Sequence, residues 1–125
     1  MTMAVRFAIV VSLAACTAGQ PWGRAHVVAP SSEGGRSIDI AASRTEFAPD
    51  RVRVHLGETV HFRFTRTAER TCAREVVVSL DAKHRIRRDL PVGIPVEITL
   101  VFDEPGELGF TCGMEMLGGT IEVAR

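Results

Sequence analysis

Three sulfur donors crowd one short stretch of this 125-residue chain, in Cys112-Gly113-Met114-Glu115-Met116. Thiolate and thioether are soft ligands, and they select a soft cation such as Cu(I) over hard ones. On an extended strand the side chains at 112, 114 and 116 share a face, but the outer two stand roughly 13 Å apart. One ion cannot be gripped across that distance. The chain must therefore curl, which Gly113, Gly118 and Gly119 permit because glycine tolerates positive φ, or the donors must serve two adjacent ions. The sequence holds 3 Cys and 4 Met. Met1 and Met3 lie in a segment expected to be removed, so every methionine left falls beside Cys112. Cys72 is the other thiol of the body of the chain.

Other readings of these residues stay open. Exported domains commonly pair their thiols, so Cys72 and Cys112 could form a disulfide in a metal-free interaction module. Met114 and Met116 could fill core gaps, as Met does well. His55 and His61 fall on the polar phases of their strands and read as rim histidines, although an electron carrier could recruit one of them. His84 sits in a charged turn. Glu115 reads as solvated, and Arg85, Arg87 and Arg88 as a solvated face or part of a docking surface for an acidic partner. No Ser-His-Asp set, phosphate-cradling loop or carboxylate pair in a motif context gives a reason to expect an enzyme.

The N-terminus reads as an address. Residues 1–6 carry one positive charge, and Phe7 to Ala15 form a nine-residue apolar run, right for a secretory signal and too short to span a bilayer. It ends in Leu13-Ala14-Ala15-Cys16, which resembles the bacterial lipobox. That resemblance implies a signal peptide over 1–15, lipidation of Cys16, and an exported lipoprotein facing the periplasm or cell exterior. Residues 16–36, with Pro21, Gly23, Pro30, Gly34 and Gly35, show no period of 2 or 3.6 and are expected to be a flexible tether, spanning roughly 25 Å as a coil. Trp22 and His26 fall within it.

The remainder, 37–125, must position the sulfurs. Its 15 basic and 15 acidic residues cancel, which gives no electrostatic case for nucleic acid. All the basic residues except Lys83 are Arg, scattered along the chain. Alternating apolar and polar residues predict strands over 37–42, 51–56, 59–66 and 96–102, the run Val76-Val77-Val78 predicts a central strand over 75–80, and 107–112 and 120–124 supply the last two. Turn signals separate them at Gly57-Glu58, Asp81-Ala82-Lys83, Asp89 to Gly93 and Asp103-Glu104-Pro105-Gly106. About seven to eight strands and no helix predict an all-β Greek-key sandwich.

Phe47-Ala48-Pro49, Val54 to Phe62, and Glu104 to Cys112 followed by Met116 and Gly119 to Val123 together resemble the cupredoxins over about residues 38–124. Blue-copper members place a Cys, a His and a Met in the ligand loop and complete the site with an earlier His. Here Cys72 occupies the earlier position and the loop His is missing. The pattern is similar to membrane-anchored cupredoxins that bind one or two Cu(I) ions through two Cys and a Met-x-Met pair. The resemblance implies Cys72 and Cys112 as high-affinity ligands, with Met114 and Met116 as the exposed route for copper. It also implies a copper-exporting P-type ATPase or other membrane copper transporter as partner.

Overall fold

The computed structural model describes residues 22–125. The expected signal peptide over 1–15 and the expected lipidation site Cys16 lie outside the described residues. Ten strands follow in order: β1 Arg24–Val28, β2 Arg36–Ala42, β3 Phe47–Ala48, β4 Arg51–His55, β5 Thr59–Arg66, β6 Glu75–Ser79, β7 Arg85–Asp89, β8 Val96–Glu104, β9 Gly106–Cys112 and β10 Gly118–Ala124. They form two five-stranded sheets, ordered β1-β8-β5-β2-β3 and β4-β10-β9-β6-β7. Two pairings, β2 with β5 and β4 with β10, are parallel; the others are antiparallel. This is the all-β sandwich that the alternation predicts, and among the described residues there is no helix.

Period-2 patterning explains how the sheets face each other. Val60, Phe62 and Phe64 on β5 turn inward, as do Leu108, Phe110 and Cys112 on β9. Five phenylalanines pack where the sheets meet. Phe110 meets Phe47 edge to face with centroids 5.4 Å apart, and Phe64 at 5.8 Å. Such contacts contribute about 0.5–1.5 kcal/mol each beyond the area they bury. Cys112 is the last inward position of β9, so ordinary strand alternation, not a loop, buries its thiol.

Three elements depart from the sequence reading. Residues 24–28 are not tether: β1 pairs with β8 from Arg24↔Glu104 to Val28↔Thr99, and Trp22 bridges to Glu107. The segment shows no amphipathic signal because an edge strand needs little burial, and only Ala25 of β1 is buried. Phe47–Ala48, outside every strand that the alternation predicts, is a two-residue strand before a cis Ala48–Pro49 bond. The Arg85–Arg88 run is β7, an edge strand that turns only Ile86 partly inward. Charges on such an edge discourage pairing with other chains.

Candidate metal centre

The sulfur site forms where β6 and β9 are neighbours. Val76 is the register partner of Cys112, so the residues just before β6 lie beside the end of β9. Cys72 is among them. Its thiol stands 3.1 Å from the Cys112 sulfur and donates a hydrogen bond to it. Cys112 is fully buried and Cys72 half-buried, and both are free thiols. Two donors each about 2.3 Å from one ion, as for thiolates on zinc, lie at most about 4.6 Å apart. One soft cation can therefore touch both sulfurs.

Between β9 and β10 the chain does curl. Cys112 N–H donates to the Leu117 carbonyl at 3.0 Å, and Glu115 N–H donates to the Cys112 carbonyl at 2.9 Å. The left-handed residue is Glu115, with φ 58°, rather than one of the glycines expected to supply it. Gly113 and Gly119 serve close packing instead. A Cβ on Gly119 would stand 2.5 Å from the Asp50 carbonyl and 2.2 Å from the Phe110 ring.

Met114 and Met116, 71% and 72% exposed, project from this turn, which rules them out as core filler. Met114 borders an open depression of about 440 Å³ together with Thr71, Cys72, Arg74, Glu75 and Asp89. Glu115 is paired with Arg85 at 3.4 Å.

The two thiols are electrostatically unlike. Burial pushes the Cys72 thiol up, and its bond to Cys112 and the charge there add to this. Burial pushes Cys112 up as well, but the backbone N–H groups of Leu117, Met114 and Met116 and the Cys72 thiol outweigh it. The net direction is down. The Leu117 N–H lies 3.4 Å from the Cys112 sulfur. Cys112 is thus the member of the pair that carries negative charge first.

Two further residues fix the Cys72 loop, and sequence reading missed both. The Arg66 guanidinium donates to the carbonyls of Ala68 at 2.8 Å, Leu90 at 3.3 Å and Glu69, tying the loop to the corner after β7. The Thr71 hydroxyl donates to the Ser43 carbonyl at 2.8 Å and accepts from the Ala73 N–H. Thr71, as the neighbour of Cys72, could have been suspected. Arg66 reads simply as the wet end of a strand.

The histidines are elsewhere. His61 bonds Thr99 and the Gly34 carbonyl, His26 bonds Asp103, and His84 bonds Asp81. His55 is opposite Ala124, at the end of β10 remote from the turn. Among the described residues no group of three or more His, Cys, Asp or Glu side chains is placed to hold an ion. The Met114 and Met116 thioethers lie on the turn that follows Cys112.

A two-sheet sandwich with a buried thiol at the end of its penultimate strand defines a cupredoxin-type protein. The chain belongs to the cupredoxin-like domain family, whose model matches residues 5–123. Solved structures share this fold. The metal-binding domain of the Cu(I)-exporting P-type ATPase CopA of Streptococcus pneumoniae D39, solved with Cu(I), is 24% identical with a TM-score of 0.63, over 76% of this chain and 92% of that one. A copper-binding protein in its apo form is 20% identical with a TM-score of 0.62, over 74% and 91%. Auracyanin B is 14% identical with a TM-score of 0.63, over 86% and 100%. No curated protein matches the chain.

Proposed function

We propose that this protein is an extracytoplasmic, membrane-anchored Cu(I) carrier that takes up the cuprous ion and passes it on or stores it, without catalysis. The observation that carries this reading is the thiol pair at 3.1 Å with no imidazole beside it among the described residues. Blue-copper electron transfer needs two His with the Cys and a weak axial Met, so that both oxidation states are held. Sulfur alone favours Cu(I). Cys72 and Cys112 bind the ion, and Met114 and Met116 offer exposed thioethers through which it enters and leaves by ligand exchange. The copper and Cu(I) named for two of the structural relatives agree with this cargo. A membrane copper transporter such as a P-type ATPase is the partner this role calls for, and an anchor at Cys16 raises the effective concentration for handover.

The test is an anaerobic Cu(I) titration of reduced protein against a competing chelator. Cys112→Ala loses affinity by orders of magnitude. Met114→Ala/Met116→Ala loses it moderately and exchanges copper faster. Equal affinities in all three proteins overturn the assignment.

A further inference from the structure

We infer that the protein docks on a phospholipid surface through the end of the sandwich that carries Trp22, with its thiol pair facing away from the membrane. This rests on the reading of Cys16 as a lipid anchor. Strand polarity sets the geometry. Trp22 bridges to Glu107 near the start of β9, and Gly23 N–H donates to the Glu107 carbonyl at 3.2 Å. From there β9 runs to Cys112. Five strand residues at about 3.4 Å each put the thiols roughly 17 Å further along the sandwich.

The same strand shortens the attachment. With β1 hydrogen-bonded to β8, and Ala25 N–H donating to the Leu80 carbonyl at 2.8 Å, the chain between Cys16 and Trp22 is six Cα steps. Fully extended, it reaches about 20 Å, and as a coil about 13 Å. A twenty-residue tether would let the domain tumble freely; this one holds the Trp22 end at the lipid.

That end suits an interface. Trp22 is 58% exposed although its backbone is paired, and it borders a depression shared with Arg24, Lys83, His84 and Glu104. The β4–β5 turn brings Leu56, 44% exposed, to the same end, where Leu56 N–H donates to the Ala124 carbonyl. An indole that is apolar in body and donates through its N–H partitions to headgroup depth, and Lys83 at the rim of the depression can meet a lipid phosphate, whereas Arg24 is held by Glu104 and His84 by Asp81. Copper exchange then takes place at the outward end, with a soluble domain of the partner and not at the bilayer surface.

Trp22 is the sole tryptophan of the chain, so its fluorescence reads the contact directly. The mature protein, with lipid on Cys16 verified by mass, is reconstituted in phosphatidylethanolamine–phosphatidylglycerol vesicles. The expected result is a blue-shifted emission, acrylamide quenching reduced about threefold from the detergent-dispersed protein, and quenching by brominated lipid. Ile94 is 58% exposed in the corner at the thiol end, so the Trp22→Phe/Ile94→Trp variant reports from there. Its emission is expected to ignore brominated lipid. A lipidated protein whose Trp22 stays fully open to acrylamide, or is shielded only when membrane proteins are added, overturns the docking while the anchor stands. Brominated lipid quenching the Ile94→Trp reporter instead also overturns it. Absence of lipid on Cys16 overturns the anchor reading and this inference together.

Discussion

Gly113 lies against the Glu75 side chain so closely that a Cβ at 113 would stand 1.8 Å from Glu75 Oε1 and 2.6 Å from its Cδ. The same carboxylate holds Arg87 at 2.6 Å. The turn bearing the methionines thus rests on an ion pair that joins β6 to β7. Gly113→Ala forces the carboxylate out of that pair. Because an exposed arginine partner contributes only about 0–1 kcal/mol, the expected destabilisation is about 1 kcal/mol, read by chemical denaturation. Gly113→Ala/Glu75→Ala removes the obstacle and recovers most of it. Gly119→Ala is worse, at about 1–3 kcal/mol, because one of its obstacles is backbone. If Gly113→Ala and Gly119→Ala cost the same, this account of the turn is wrong.

Arg66 lies outside the sulfur site, yet it gathers carbonyls from the Cys72 loop and from the corner after β7. Arg66→Met leaves the four proposed sulfur donors in place and frees that loop, so on the proposed function the ordering it had supplied has to come from copper binding. The expected loss is about tenfold in Cu(I) affinity by chelator competition. Arg66→Lys does not rescue it, since one ammonium cannot span the acceptors a planar guanidinium reaches. Full affinity in the lysine variant would show that charge, and not the fork, is what matters.

How much of this was legible in the sequence depends on how local the cause is. Cys112 follows Leu108 and Phe110 at period 2, so its strand and its burial could both be read from a few neighbours. The nearness of Cys72 could not be derived that way. It follows from the β6–β9 register, a long-range pairing, and only the family resemblance pointed to it. β1 and β7 escaped for a related reason: each lies at a sheet edge, where backbone hydrogen bonds to one neighbour hold the strand and the side chains need show no alternation. The curl after Cys112 was foreseen but placed on the glycines. Glu115 adopts it, while Gly113 and Gly119 answer to atoms from elsewhere in the chain.

Acid loosens the turn between β6 and β7 by protonating Asp81. Asp81 Oδ1 accepts the Lys83 and His84 backbone N–H groups at 2.7 Å each, and Oδ2 lies 2.8 Å from His84 Nδ1. The Lys83 N–H above all, with the His84 imidazole next, pulls the carboxyl from 3.8 to about 2. A carboxyl depressed by folding stabilises the native state above its unfolded value, and that stabilisation is lost as pH falls through its folded value. Wild type is therefore expected to exceed Asp81→Ala in denaturant midpoint at pH 5, with the gap closing as pH falls from about 4 to 2. A gap that stays constant across that range would mean the turn is held by something other than the ionised carboxylate.

The thiol pair that suits Cu(I) also suits oxidation, and the two states exclude each other. At 3.1 Å the sulfurs need approach only about 1 Å to reach the covalent separation near 2.05 Å. Cys72 is half-buried and can be reached from solvent, whereas Cys112 is enclosed and pulled toward its thiolate. The accessible Cys72 sulfur, handing its proton to the Cys112 thiolate to which it is hydrogen-bonded, attacks an external disulfide such as oxidised glutathione and releases one glutathione thiolate. Cys112 then displaces the second glutathione from Cys72, so the pair loses two electrons and two protons in all. The metal-free protein treated anaerobically with oxidised glutathione is expected to lose two hydrogens in mass, keep its fold, and bind no Cu(I) until dithiothreitol restores the thiols. Prior loading with Cu(I) is expected to slow this oxidation strongly, because the ion occupies both sulfurs. If the loaded and metal-free proteins oxidise at the same rate, the cuprous ion is not held by Cys72 and Cys112, and the site assignment fails with it.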